Sequence, residues 1–74
     1  KNKKLDLIFL DPPYKEKNVK IILENIAKLN LLKENGIVVL HRHKKSKDNF
    51  NNIFSIIRSA KYGISKITFL KLIN

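Results

Sequence analysis

The chain has 74 residues, at most one small domain, and a formal net charge of +10. It contains neither cysteine nor methionine, which excludes a disulfide framework and a thiolate metal site, and no apolar run approaches the ~20 residues that a membrane span requires. The basic balance favours an anionic partner, most simply nucleic acid, tempered by an enrichment in Lys, Asn and Ile that an A/T-rich genome would encode whatever the function.

The charge is unevenly placed. Residues 1–40 carry eight lysines against five acids, whereas residues 41–74 carry eight Lys or Arg against Asp48 alone. Lys1 to Lys4 reads as a polar linker end. Leu5 to Leu10 is apolar except for Asp6, the pattern of a strand in a parallel sheet covered on both faces. Asp11-Pro12-Pro13-Tyr14 follows at the carboxyl end of that strand, where ligands bind in open α/β sheets. Each proline fixes its own φ and pushes the residue before it toward extended geometry, so the loop is rigid before any ligand arrives. The Asp11 carboxylate and the Pro12 carbonyl are both acceptors when Asp11 is ionised. Together they match an exocyclic amine with two N–H donors, and Tyr14 offers a ring on which a base can stack. The plainer alternative is a strand-to-helix turn in which Asp11 caps backbone N–H groups.

Asn18 is placed as a helix N-cap, and Val19, Ile22, Leu23, Ile26 and Leu29 then recur at helical spacing, with Lys20, Glu24 and Lys28 on the opposite face. That stripe is core packing. Leu31-Leu32 close the helix, and Lys33-Glu34-Asn35-Gly36 is predicted as a turn. Ile37 to Leu40 is a second buried strand, which makes a βαβ unit with the first. His41 to Asn49 reads as a basic loop. For Phe50 to Ala60, periodicity slightly favours a helix through Phe50, Ile53, Phe54 and Ile57. Lys61-Tyr62-Gly63 is predicted as a hairpin turn, with Gly63 able to take positive φ, followed by a partly alternating strand from Ile64 to Leu72.

At Asp11-Pro12-Pro13-Tyr14 the chain resembles the S-adenosylmethionine-dependent amino-methyltransferases, whose DPPY motif follows the fourth strand of a Rossmann-like sheet. Leu7 to Tyr14, Gly36 to His41, and Lys61-Tyr62-Gly63 with Lys66 to Leu70 together resemble a narrower family, the bacterial small-subunit (16S) ribosomal RNA guanine-N2 methyltransferases of RsmD type. The resemblance implies an α/β fold: residues 1–74 as the C-terminal half of a Rossmann-like methyltransferase domain, a βαβ unit followed by an antiparallel hairpin. It favours a strand over Ile53 to Ser59, with a helical turn allowed at Asp48 to Asn52. The family's Gly-rich cofactor turn has no counterpart here, so the isolated chain is expected to be the catalytically silent part of a longer enzyme. Asp11, Pro12, Pro13 and Tyr14 are the expected catalytic residues, with Asp11 also touching the cofactor, S-adenosylmethionine. The expected partner is ribosomal RNA or the small ribosomal subunit, for an enzyme that is cytoplasmic, monomeric when full length, and independent of metal. Methylation of adenine N6 in DNA uses the same tetrapeptide and stays open at this point, as does a non-catalytic basic RNA-binding role.

The remaining candidates flank this loop. His41 is expected at the strand's carboxyl end, beside Asp11. His41-Arg42-His43 departs from the family, many of whose members carry an acidic residue near this position. His41 and His43, two apart, would share a face of an extended strand, but a metal site needs further ligands. His41, Arg42, Lys44 and Lys45 are expected to contact substrate, the lysines of the 44–47 run through phosphates. Tyr62 is expected to pack within the hairpin.

Overall fold

A computed structural model describes residues 3–50 and 52–73. Of the expected linker end, Lys1 and Asn2 lie outside the described residues. The chain runs β1 (Leu5–Leu10), α1 (Val19–Lys28), β2 (Leu32–His43), β3 (Phe54–Tyr62) and β4 (Ser65–Leu72). These strands form one mixed sheet in the order β1-β2-β4-β3. β1 and β2 are parallel, joined through α1, and β4 lies antiparallel to both β2 and β3.

The helix forms on its apolar spacing. Val19, Leu23 and Ile26 are buried against Val38, Leu40, Leu70 and Phe54 of the sheet, each such side chain contributing about 1.5–3 kcal/mol. Asn18 stands at the N-cap but makes no side-chain cap; its backbone N–H instead donates to the Glu16 carboxylate at 2.9 Å. At the other end Asn30 takes φ 58°. The Asn30 N–H donates to the Ala27 carbonyl and the Leu31 N–H to the Ile26 carbonyl, the paired bonds of a Schellman motif. This stop carries Leu29 out of the apolar stripe: it is 65% exposed.

The second strand is longer than its apolar run. It starts at Leu32, and the expected turn at Lys33–Gly36 lies within it as an irregularity between the pairs Leu5↔Leu32 and Leu7↔Ile37. Leu32 folds back over Gly36, where a Cβ would lie 2.6 Å from its Cγ. β2 also continues through His43, so His41, Arg42 and His43 are strand residues paired with Ile67, Lys66 and Ser65 and not part of a loop. Val38, Leu40 and Arg42 are buried, while Val39, His41 and His43 alternate with them and are only half-buried.

Phe54 to Tyr62 is a strand, as the resemblance implied. A register shift between Ile56 and Arg58 breaks its alternation, which accounts for the helical look of the segment. No helical turn forms over the described part of 48–52, residue 51 lying outside it; the Ile53 N–H closes a turn onto the Phe50 carbonyl. The hairpin turn sits one residue later than expected, on Gly63 and Ile64 between the Tyr62↔Ser65 pair. Gly63 has φ 59°, the first-position requirement of a type II′ turn. Tyr62 ends β3 and is 62% exposed; it does not pack within the hairpin.

Candidate active site

The carboxyl ends of β1 and β2 lie side by side, and the chain leaves β1 through Asp11-Pro12-Pro13-Tyr14. The neighbouring strand end supplies His41, whose Nδ1 is 2.8 Å from Asp11 Oδ1 and whose Nε2 is 2.9 Å from Ser65 Oγ. With Asp11 ionised, Nδ1 carries the proton of the first bond. A neutral ring then accepts the Ser65 hydroxyl proton through Nε2. Asp11, His41 and Ser65 thus form a chain across β1, β2 and β4, and one oxygen of Asp11 remains without a partner among the described residues.

Tyr14 packs against His43, with ring centroids 4.6 Å apart and planes tilted by 42°. The tyrosine is still 56% exposed, which leaves aromatic surface for another flat ring. Asp11, Pro12, Tyr14, His41, Arg42, His43, Ile64 and Ser65 line a crevice of about 160 Å³. Among the described residues no hydrogen bond reaches the Pro12 carbonyl. The Pro13 carbonyl, in contrast, accepts from the Glu16 N–H and from Arg42 Nη1, so Pro13 supports the loop and has no acceptor turned to the crevice.

The same commitment corrects the expectation for Arg42. Its side chain points to the helix side of β2 and is only 4% exposed. Nε and Nη2 donate to Asp48 at 3.0 and 3.3 Å, Nη1 to Pro13 O at 2.9 Å and Nη2 to Glu16 O at 2.9 Å. Arg42 borders the crevice, but strand alternation sends its guanidinium to protein acceptors, and its planar fork ties the Pro-Pro loop and the Asp48 segment together. Lys44 and Lys45 are exposed just beyond β2. The Lys44 N–H donates to the Ile64 carbonyl at 2.7 Å and the Lys45 N–H to His43 Nδ1 at 3.1 Å, which fixes the backbone of both and leaves their ammonium groups outward.

Ser65 is the site residue that sequence reasoning missed. A serine after a hairpin glycine carries no signal of its own; only the β2–β4 register brings it to His41. Among the described residues no group of three or more His, Cys, Asp or Glu side chains gathers to hold a metal, and His41 and His43 serve separate neighbours. No helix of the described chain is long and apolar enough to cross a membrane.

The chain belongs to the family described as conserved hypothetical protein 95, which matches residues 1–71. It is 36% identical over 70 residues to an uncharacterized methylase of Rickettsia prowazekii, covering 95% of this chain and 30% of the relative. It is 32% identical over 66 residues to a Bacillus subtilis protein, YlbH, named as a candidate rRNA methyltransferase, covering 86% of this chain and 35% of the relative. The chain therefore spans about a third of the length of these relatives. Among solved structures, a conserved hypothetical protein of Streptococcus pyogenes superposes with a TM-score of 0.83 at 34% identity, covering 95% of this chain and 44% of that one. A candidate methylase of Haemophilus influenzae shares the fold with a TM-score of 0.78 at 17% identity, over 99% of this chain and 48% of its own. The fold is that of the C-terminal part of such methyltransferase structures.

Proposed function

We propose that the whole protein transfers a methyl group from S-adenosylmethionine to the exocyclic N2 of a guanine in small-subunit ribosomal RNA, and that residues 1–74 form the part of the enzyme that holds the target base. The observation that carries this reading is the pair of acceptors at the end of β1, the free oxygen of Asp11 and the unbonded Pro12 carbonyl, set beside the exposed ring of Tyr14. The relative named for rRNA methylation supports RNA as the substrate class.

The amine of guanine is a poor nucleophile because its lone pair is delocalised into the ring. Acceptance of its two N–H bonds by Asp11 and Pro12 O turns the nitrogen toward tetrahedral geometry and frees the lone pair. The Asp11 carboxylate places negative charge where positive charge develops on nitrogen, a stabilisation of several kcal/mol in a preorganised site. Tyr14 holds the base by stacking, after it leaves its own stack. His41 fixes the Asp11 carboxylate through one oxygen, so the other keeps a constant direction.

S-adenosylmethionine, when bound, supplies a methyl on a positively charged sulfur. The donor set fits one side of that group: Asp11 would offer a carboxylate to the cation, and the crevice it shares with Ile64 and Tyr14 is partly apolar, while most cofactor contacts are expected from outside these residues. The Gly-rich turn for the rest of the cofactor is not among these residues.

Asp11→Ala in the whole protein tests this. Methylation of small-subunit RNA is expected to fall to background while cofactor affinity changes little. Near-normal turnover would remove Asp11 from the mechanism and the proposed chemistry with it.

A further inference from the structure

A second, larger cavity of about 550 Å³ adjoins the crevice, with Tyr14 and Arg42 common to both. It opens between the start of the segment that leads into α1 and the segment that follows β2. Lys15 and Lys17 line one side, Lys45, Ser46 and Lys47 the other. The two acids on its wall are already occupied. Asp48 pairs with buried Arg42, and the Glu16 carboxylate accepts the Asn18 N–H. The lining thus sets Lys15, Lys17, Lys45, Lys47 and Arg42 against Glu16 and Asp48, and among the described residues no ion pair engages any of the four lysines. Ser46 is 9% exposed, and its hydroxyl has no hydrogen-bond partner among the described residues. The backbone beneath it is pinned: the Ser46 N–H donates to the His43 carbonyl, and Lys66 Nζ donates to the Ser46 carbonyl at 2.8 Å.

We propose that this cavity seats the backbone phosphates of the RNA strand next to the target nucleotide. The inference rests on the reading of the whole protein as an enzyme acting on RNA. A base drawn out of its stack drags its sugar and flanking phosphates with it, and Tyr14 is the wall between the base crevice and the lysines. Phosphates passing over that wall meet four cations from two rigidly joined segments. With its side chain rotated toward the cavity, the Ser46 hydroxyl, buried and unpartnered here, would find in a phosphate oxygen the acceptor it lacks, whereas a free carboxylate or amine ligand would not use the spread of four lysines. The contacts position the strand and carry no sequence information. Arg42 has a part at one remove, because its bonds to Pro13, Glu16 and Asp48 hold the two walls at a set separation.

The test is a binding titration of the whole protein, without cofactor, against a short fluorescent single-stranded RNA containing one guanine. It is repeated from about 50 to 200 mM KCl, the range over which phosphate contacts reveal themselves by salt dependence. A contact that releases about 0.7 counterion contributes roughly fourfold to affinity near 0.15 M salt. Each of Lys15→Ala, Lys17→Ala, Lys45→Ala and Lys47→Ala is expected to weaken binding by about that factor, and the quadruple variant to lower the salt slope by about 3. Lys28→Ala and Lys61→Ala, exposed on the helix and on β3, are the controls and are expected to change little. Ser46→Ala is expected to weaken RNA binding several-fold with thermal stability unchanged or raised, since it removes an unsatisfied buried hydroxyl.

Equal losses in the cavity and control variants would overturn the proposal in favour of diffuse attraction. So would displacement of the RNA by inorganic phosphate at constant ionic strength, which would mark a site for a free anion. A quadruple variant that keeps full affinity, in a protein that methylates RNA, would refute the cavity alone. RNA binding that depends on these lysines in a protein that methylates nothing would support the cavity and count against the methyl-transfer reading.

Discussion

Replacement of Arg42 by Met isolates what the buried guanidinium does for the loop it holds. The change removes four donor contacts and leaves the Asp48 carboxylate, itself only 9% exposed, without its cation. Breaking a buried pair from one side costs about 3–5 kcal/mol, because the remaining charge stays desolvated. The Glu16 carbonyl also loses its Arg42 donor, while the Pro13 carbonyl keeps the Glu16 N–H. The cost is a large fraction of the roughly 5–15 kcal/mol that stabilises a typical domain. Asp48→Asn in the Arg42→Met background removes the stranded charge and is expected to recover at least about 2 kcal/mol of the loss. Arg42→Lys is expected to behave much like Arg42→Met, because a single ammonium cannot span Asp48, Pro13 and Glu16 at once. Denaturant midpoints of the four whole proteins give these energies, and amide exchange over residues 14–18 reads the loop directly. Loss of less than about 1 kcal/mol in Arg42→Met, the size expected of an exposed pair, would refute the clamp, as would full rescue by lysine.

Three further outcomes follow from particular contacts. Tyr14→Phe is expected to retain most methylation and Tyr14→Ala to lose it, since stacking needs the ring and not the hydroxyl; equal loss in both, measured as turnover, would mean that the hydroxyl acts. His41→Ala is expected to lower turnover while RNA affinity holds, because it frees the Asp11 carboxylate to rotate, and His41→Asn should recover part of the rate if one N–H toward Asp11 is what matters. Gly36→Ala is expected to destabilise by about 1–3 kcal/mol in denaturant melts, as overpacking does: a Cβ there meets Leu32 at 2.6 Å, and Leu32 is a fully buried core residue.

The apolar elements were legible in the sequence because each has an unbroken period. Leu5–Leu10, the Val19–Ile26 stripe and Ile37–Leu40 form the elements their patterns predict, but β1 is covered on one face only: Ile8 and Leu10 pack on the core while Leu5, Leu7 and Phe9 are 50%, 59% and 60% exposed. Asp11 and His41 meet because the two parallel strands end side by side. The errors have a common cause in partners remote along the chain. β2 runs on through His41-Arg42-His43 because β4 supplies the bonds, yet three polar residues in a row look like a loop. Arg42 is buried because Asp48, Pro13 and Glu16 converge on it from separate segments, which no local pattern reveals. The helical look of residues 50–57 came from a shift of strand phase near Ile57, and Leu29 left its stripe because Asn30 ends the helix.

The alternation along β2 has a consequence for how the chain tolerates change in length. His41 and His43 face the crevice while Arg42 faces the core, so one strand serves two environments with a period of two. Loss or gain of a single residue between Ile37 and Leu40 would exchange those faces, burying two imidazoles under α1 and exposing the clamp to solvent. Two-residue changes would restore the faces but move His41 off the level of Asp11. Insertions are absorbed more cheaply after Asp48, where Asn49 and Phe50 lie outside any regular element. Length variants selected for function should therefore collect after β2 and spare it.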